Sequence, residues 1–224
     1  MWEAFGVLDD TERQRSACFL RAEDRNSFIV THAALRCLLS SLLDVAPGGI
    51  QFATNSLGKP SLSPVHGRDD ISFSLSHTTG FSAIALSRGG EIGIDIERRR
   101  AVSDPIGIVL RLFGGAVAEQ FARHPPEKRD EIFLRLWTTA EAYAKARGVG
   151  LAGIGRTSPV LLATDGSPSL DPESTLRTPW ILLFMEAADE CVGGVVVASS
   201  NAIACRSHLP ETTTLAALLA AGPW

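Results

Sequence analysis

Residues 71–97 read ISFSLSHTTGFSAIALSRGGEIGIDIE and contain three short runs in which apolar residues alternate with polar or small ones. This alternation predicts β-strands over residues 71–77, 81–87 and 91–97. The Thr78-Thr79-Gly80 and Arg88-Gly89-Gly90 breaks between the runs are typical of hairpin turns. The stretch therefore predicts an antiparallel meander of three strands.

Long helical stretches and further strand-like runs lie on both sides of this meander. Residues 21–43 have apolar positions near helical spacing and contain no Pro or Gly, and Pro47-Gly48-Gly49 ends that helix. The later elements are helical stretches at 106–123 and 127–147 and strands near 159–163, 180–186 and 192–199. Because the order helix-then-meander occurs twice, we expect an α+β fold of two pseudo-symmetric lobes, each a meander packed with a long helix. The lobes would be residues 1–100 and 101–224, with the active-site cleft between them.

Composition argues against several other classes of protein. The 224 residues are 45% hydrophobic and 21% charged, as in an ordinary globular chain of one or two domains. The net charge of −4 argues against a general nucleic-acid binder. The longest apolar runs, such as Leu215–Ala221, are too short to cross a membrane, and residues 1–3 lack the features of a secretory signal, so we expect a cytoplasmic protein. The four cysteines show no CxxC spacing and are expected to be reduced.

Two carboxylates end the third strand of the meander. Asp95 and Glu97 point to one face of that strand because side chains alternate, whereas Ile94 and Ile96 point to the other. Paired carboxylates of this kind suit Mg²⁺, which proteins hold through one or two carboxylates together with substrate phosphates. The alternative is an exposed strand end that the arginines at 98–100 neutralise.

A glutamate and a lysine are neighbours on one helix. Glu141 and Lys145 are four residues apart, so both can reach the same ligand, although such pairs are also common on helix surfaces. Thr138 and Glu141 further match a capping box, which would place Ala140 in a first helical turn. On that basis we expect Ala140→Lys to be structurally mild.

Two other patterns have ordinary explanations. Residues 148–153 match GxGxxG, but the pattern follows a helix rather than a strand, so Gly148 is predicted to end the helix instead. Ser76 and His77 are adjacent on a strand and project to opposite faces, so they do not form a nucleophile–base pair.

Four segments, in this order, resemble the Sfp-type 4′-phosphopantetheinyl transferases. They are FATNSLGKP at 52–60, FSLSHT at 73–78, GIDIE at 93–97 and WTTAEAYAKA at 137–146. The resemblance extends from about Arg13 to Arg206 and implies a monomer with coenzyme A in the cleft between two lobes. It also implies that the chain transfers the phosphopantetheine arm of coenzyme A to a serine of an apo acyl or peptidyl carrier protein and releases adenosine 3′,5′-bisphosphate. Such carriers serve polyketide or nonribosomal peptide synthesis.

The resemblance also implies roles for individual residues. The Mg²⁺ ligands would be Asp95, Glu97 and Glu141, and Lys145 would face the pyrophosphate. One of the three carboxylates would be the general base, which we expect to be Glu141, directly or through a water, although the sequence leaves open which one it is. The nucleotide phosphates would be held by Lys59, Ser76, His77 and Arg25.

The chain departs from the family pattern at two positions. Ala140 stands where a Lys is usual, and Ser27 stands where an Arg is common. If that Lys assists the phosphoryl charge, Ala140→Lys should raise the rate. Two alternatives therefore stay open beside an active transferase: a catalytically weak relative that binds coenzyme A or a carrier protein, and a metal-dependent hydrolase of the pyrophosphate. Carrier docking is expected around Leu110, Leu112 and Phe113.

Overall fold

The computed structural model describes residues 2–150, 154, 159–173, 179–187 and 190–199. The helices in this part are α1 Trp2–Gly6, α2 Asp10–Ala17, α3 Ala22–Leu43, α4 Pro105–Phe113, α5 Gly115–Ala122 and α6 Pro126–Arg147. The strands are β1 Phe52–Thr54, β2 Pro60–Leu62, β3 Ile71–Thr78, β4 Phe81–Arg88, β5 Ile92–Arg98, β6 Val160–Leu162, β7 Pro168–Leu170, β8 Trp180–Ala187 and β9 Cys191–Ala198. The mixed helix and sheet composition confirms the α+β class.

The two long helices lie where the sequence predicts them. α6 begins at Pro126, whose missing N–H costs nothing in a first helical turn, and ends at Gly148 in the left-handed conformation. Residues 106–123, predicted as a single helical stretch, form two helices instead. Gly114 separates α4 from α5 because its φ of 85° cannot be part of a right-handed helix.

Small antiparallel sheets form the β structure of the described residues, in the pairings β1-β2, β3-β4, β5-β9-β8 and β6-β7. The hairpin predicted for β3 and β4 is confirmed, with Thr78 opposite Phe81 and Gly80 at a φ of 80° in the turn. The third strand of the expected meander pairs elsewhere: β5 lies against β9, with Asp95 opposite Gly194. The prediction that β5 continues the β3-β4 meander is therefore wrong.

The edge of β5 that faces away from β9 is covered by side chains of β3. The amides of Ile94 and Ile96 donate to the hydroxyls of Ser74 and Ser76, at N···O distances of 3.1 and 3.2 Å. Both edges of β5 therefore have partners, which leaves β4 to contact β5 only by packing. The Ile94 and Ile96 amides, which a hydrogen-bonded ladder with β4 would need, are already bonded to β3.

Two of the hydrophobic clusters are formed by different parts of the chain. One consists of residues from α4, α5, α6, β6 and β9 and includes Phe121, Leu136 and Ala140. Another joins α3 to the first three strands and includes Leu39 and Phe73. The repeated order of elements is visible in the fold, whereas pseudo-symmetry of two lobes and a boundary at residue 100 stay predictions.

α3 is the helix of the described residues that meets the length and hydropathy expected of a membrane span. Its side chains pack into two of the hydrophobic clusters. Arg36 near its middle is completely buried and pairs with Asp9 and Glu12 at N···O distances of 2.5 and 2.7 Å. These contacts are typical of a core helix.

Candidate active site

A cavity of about 320 Å³ lies where β3, β5 and α6 meet. Its lining consists of Leu75, Ser76, His77, Asp95, Ile96, Glu97, Trp137, Glu141 and Lys145. Six of the predicted site residues are therefore brought to one place by two strands and one helix that are far apart in the sequence.

β5 supplies the first two carboxylates. Asp95 is 6% exposed, and Glu97, two residues further along the strand, is partly buried. Gly93 precedes them at the same two-residue spacing and therefore lies on the same face of β5. A methyl group at position 93 would overlap the carbonyl oxygen of Ala142 and the amide of Ala146. This face of β5 is thus covered directly by the backbone of α6.

A second glycine lies where α6 packs on β9, at a less tight contact. A methyl group on Gly194 would lie 3.3 Å from the carbonyl oxygen of Thr138 and 3.3 Å from the amide nitrogen of Thr139. Because neither strand has a side chain at these contacts, the helix approaches near enough for Lys145 to bond Asp95 and for Glu141 to line the same cavity.

The helix start predicted from Thr138 is wrong. α6 begins twelve residues earlier, at Pro126, and the Thr138 hydroxyl donates to the carbonyl of Arg135 at an O···O distance of 3.2 Å within the helix. Ala140 consequently lies deep in α6, is 1% exposed and packs in the hydrophobic cluster of α4, α5 and α6. The premise that Ala140 lies in a first helical turn is therefore wrong, and the structure gives no support to a mild effect of Ala140→Lys.

Asp95 is held by two hydrogen bonds to the same carboxylate oxygen. Lys145 Nζ and Ser76 Oγ each donate to Asp95 Oδ1 at 2.7 Å. Lys145 thus places a positive charge directly against the most buried of the three carboxylates. With all four groups ionised, the three carboxylates exceed the one ammonium group, so the cavity favours a further cation.

The excess negative charge is reflected in two pKa values. Burial and the charge of Asp95 raise the pKa of Glu141 to about 7, with Glu97 adding to the rise and Lys145 opposing it. Burial and Asp95 likewise raise the pKa of Glu97, although Arg100, a hydrogen bond with Trp137 and Lys145 oppose the rise. A divalent cation among the carboxylates would relieve the repulsion that contributes to both shifts.

The donor set fits Mg²⁺, since three carboxylates from β5 and α6 provide hard oxygen ligands. In the described residues, however, no three His, Cys, Asp or Glu side chains are grouped as a ready-made metal site. Lys145 instead bonds the Asp95 oxygen, so the carboxylates share the cavity without closing around a common point.

Two predicted site residues lie outside the cavity lining. Lys59 Nζ donates to the carbonyl of Ala146 at 2.7 Å, near the C-terminal end of α6, and also pairs with Glu91. Arg25 is exposed in the first turn of α3. The cavity in turn contains Trp137, which the sequence argument did not assign to the site. Its position four residues before Glu141 puts both side chains on one face of α6 and is the signal that could have found it.

The amino-acid sequence is similar to those of several known proteins, all from one enzyme family. The model of the 4′-phosphopantetheinyl transferase superfamily matches residues 91–186, which include β5 and α6. The 4′-phosphopantetheinyl transferase HetI of Nostoc sp. (strain PCC 7120) is 33% identical over 193 residues, covering 86% of this chain and 79% of the relative. The 4′-phosphopantetheinyl transferase Sfp of Bacillus subtilis (strain 168) is 26% identical over 168 residues, which are 75% and 72% of the two chains. AcpT of Escherichia coli (strain K12), a further 4′-phosphopantetheinyl transferase, is 36% identical over 114 residues, or 50% and 55%.

The relatives named above are all 4′-phosphopantetheinyl transferases, an enzyme class. The chain belongs to the 4′-phosphopantetheinyl transferase superfamily. The expectation of an enzyme of this class is confirmed.

Proposed function

We propose that this chain transfers the 4′-phosphopantetheine arm of coenzyme A to a serine of an apo acyl or peptidyl carrier protein, with Mg²⁺, and releases adenosine 3′,5′-bisphosphate. The observation that supports this most directly is the cavity in which Asp95, Glu97, Glu141 and Lys145 meet. A pyrophosphate with its accompanying cation is complementary to this mixture of carboxylates and ammonium.

Asp95, Glu97 and Glu141 would hold the Mg²⁺. When bound, the ion supplies positive charge that offsets the charge developing on the phosphoryl oxygens. Lys145 contributes a second cation from the chain itself. Its ammonium group, now against Asp95, lies in the cavity wall where it can orient the pyrophosphate and stabilise the departing bisphosphate.

Glu141 is the proposed general base. In the metal-free protein its pKa is about 7, so a substantial fraction of the side chain is ionised at neutral pH, and a bound cation would increase that fraction. In the reaction, the serine oxygen forms a bond to the β-phosphorus while the bond from that phosphorus to the bridging oxygen breaks. The serine proton passes to Glu141, and the bridging oxygen leaves with adenosine 3′,5′-bisphosphate.

The nucleotide phosphates would be bound on the β3 side of the cavity. His77 lines the cavity and is exposed, so its ring is accessible to an anion. Lys59 and Arg25 are proposed as further phosphate contacts. For Lys59 this requires exchange of its present partners, Glu91 and the Ala146 carbonyl, for phosphate oxygens.

The cavity is proposed to be part of the cleft between two pseudo-symmetric lobes, residues 1–100 and 101–224. Two hydrophobic clusters support this division, since the members of one lie within residues 35–86 and those of the other within residues 102–192. Asp95 and Glu97 would then lie at the interface, since β5 contacts β3 of the first half and pairs with β9 of the second.

The carrier protein is proposed to dock on α4. Ile106 and Leu110 are 36% and 52% exposed and lie on one face of the helix, and the exposed Arg111 follows at once. This face offers apolar contact beside a positive charge for an acidic carrier. We further propose a cytoplasmic monomer that requires neither nucleic acid nor a membrane for the reaction.

The test is incubation of the purified protein with coenzyme A, Mg²⁺ and an apo carrier, followed by mass spectrometry of the carrier and chromatography of the nucleotide. Gain of the phosphopantetheine mass together with adenosine 3′,5′-bisphosphate is the expected result. Nucleotide release without a change in the carrier would identify a pyrophosphate hydrolase. Binding of coenzyme A or of the carrier without either product would identify a binding protein.

A further inference from the structure

β3 presents a hydroxyl to β5 at every second residue. Ser74 Oγ, Ser76 Oγ and Thr78 Oγ1 accept hydrogen bonds from the amides of Ile94, Ile96 and Arg98, at N···O distances of 3.1, 3.2 and 3.4 Å. The partners advance together along both strands, so β3 and β5 run in the same direction here. We call these three side chains the hydroxyl ladder.

One member of the hydroxyl ladder differs from the other two. Ser76 is 5% exposed, and its oxygen accepts from the Ile96 amide while its proton is donated to Asp95 Oδ1 at an O···O distance of 2.7 Å. A serine hydroxyl has a single proton to donate. While that proton is bonded to Asp95, Ser76 cannot donate to a phosphate oxygen.

Ser76 therefore forms hydrogen bonds with two adjacent residues of β5, the backbone amide of Ile96 and the side chain of Asp95. Together with Lys145, which bonds the same carboxylate oxygen, it determines how the Asp95 carboxylate is turned. His77, the next residue, is exposed at the cavity and remains available to an anion. Ser76 and His77, which were both expected to bind the nucleotide phosphates, therefore have different surroundings in the structure.

We infer that Ser76 is a positioning residue that holds the Asp95 carboxylate in orientation for the reaction, and not a contact of the nucleotide phosphates. This inference rests on the proposed function, in which Asp95 is a metal ligand. Residues that hydrogen-bond metal ligands are commonly needed to orient them, and their loss costs about 10- to 100-fold in metal affinity or activity.

The experiment compares Ser76→Ala with Ser74→Ala. Each substitution removes a buried hydroxyl of the same strand and leaves one β5 amide without its acceptor, but only Ser76 bonds a carboxylate. For Ser76→Ala we expect kcat to fall about 10- to 100-fold and the Mg²⁺ concentration for half-maximal rate to rise. The KM for coenzyme A should stay within about twofold, as should the Kd for coenzyme A measured by calorimetry in excess chelator. Ser74→Ala should keep kcat, and Ser76→Thr, which retains the hydroxyl, should recover most of the rate.

Two results would overturn the inference. A roughly tenfold rise in the KM and Kd for coenzyme A at unchanged kcat would make Ser76 a phosphate contact. An equal fall in kcat for Ser74→Ala would show that the hydroxyl ladder affects the rate only by holding β3 and β5 together. Thermal melts identify a variant that does not fold, and Ser76→Cys, which keeps the shape but donates weakly, then replaces Ser76→Ala. Absence of transfer by the unsubstituted protein would instead refute the proposed function.

Discussion

The raised pKa of Glu141 means that ionisation of this side chain destabilises the folded protein. The ionised side chain is also the form that can accept a proton in the proposed reaction. Its ordinary pKa is 4.5, and burial and Asp95 raise it to about 7 in the folded state. Between these two values the folded protein keeps a proton that the unfolded chain has lost. The free energy of unfolding therefore decreases as pH rises through this interval, and the loss is complete above about pH 7.

We predict that Glu141→Gln stabilises the metal-free protein at alkaline pH and abolishes transfer. The amide resembles the protonated acid, so the variant avoids the cost of ionisation. Thermal melts in chelator should show a Tm higher by a few degrees at pH 8, corresponding to about 1–2 kcal/mol, and no difference near pH 4. An unchanged or lower Tm at pH 8 would contradict the pKa assigned to Glu141.

Glu131 is a matched control, because its pKa is shifted in the opposite direction to that of Glu141. Against the effect of burial, hydrogen bonds and charges from Arg99 and Arg135 lower the pKa of Glu131. Its ionised form is favoured by folding, so Glu131→Gln should lower the Tm at pH 8 and leave transfer intact.

Asp95 and Glu97 belong to the proposed metal site, and we predict that both residues are required for transfer. Asp95→Ala and Glu97→Ala should each lower kcat by about 100-fold in the presence of Mg²⁺, while far-ultraviolet circular dichroism stays as in the unsubstituted protein. Asp10→Ala, which removes an exposed carboxylate of α2, should keep full activity. Steady turnover by Asp95→Ala in excess chelator would eliminate the metal assignment.

At the scale of the element, the contact of α6 with β5 depends on a missing side chain. Gly93 has no room for a methyl group, because the neighbouring atoms belong to the backbone of α6 and cannot rotate away. We predict that Gly93→Ala displaces the helix, lowers the Tm and reduces kcat more than it changes the KM for coenzyme A.

A glycine with free space around it is the control for Gly93. A methyl group on Gly115, in the first turn of α5, would meet no atom within 4 Å, and its φ is not positive. Gly115→Ala should therefore leave the Tm unchanged or raise it slightly. Equal behaviour of the two alanine variants would mean that α6 is not fixed by close packing.

The same helix determines the effect of Ala140→Lys. We predict that this substitution destabilises the protein by more than about 2 kcal/mol, since it places an ammonium group among apolar side chains of the core. A lower Tm, with reduced soluble yield, is the expected measurement. A stable variant that transfers faster would show that position 140 can turn its side chain toward the cavity.

At the scale of the whole molecule, the carrier surface is separate from the coenzyme A site. We predict that Leu110→Ala raises the KM for the carrier by about tenfold and leaves the KM for coenzyme A unchanged, because the exposed leucine lies on α4, outside the cavity lining. Leu57→Ala, at another exposed leucine, should affect neither constant. Phe113 is a poorer probe because it packs against the hydrophobic core. Equal KM values for Leu110→Ala and the unsubstituted protein would place the docking surface elsewhere.

Local rules account for the parts of the site that were predictable. Asp95 and Glu97 share a face because a strand alternates its side chains, and Glu141 and Lys145 share a face because a helix repeats every 3.6 residues. The four residues then needed only one contact, between β5 and α6, to meet in the cavity. The sequence could not show that contact, since Asp95 and Lys145 are fifty residues apart in the chain.

The amino-acid sequence by itself determined the α+β class, the positions of α3 and α6, the β3-β4 hairpin and the two local pairs, Asp95 with Glu97 and Glu141 with Lys145. Each depends on residues that are close neighbours along the chain. The tertiary structure alone decided that β5 pairs with β9, that Ala140 is buried and that the Ser76 proton is donated to Asp95. The reason is physical: strand edges, buried positions and single hydroxyl protons have several possible partners, and which partner they take depends on the elements that packing brings beside them.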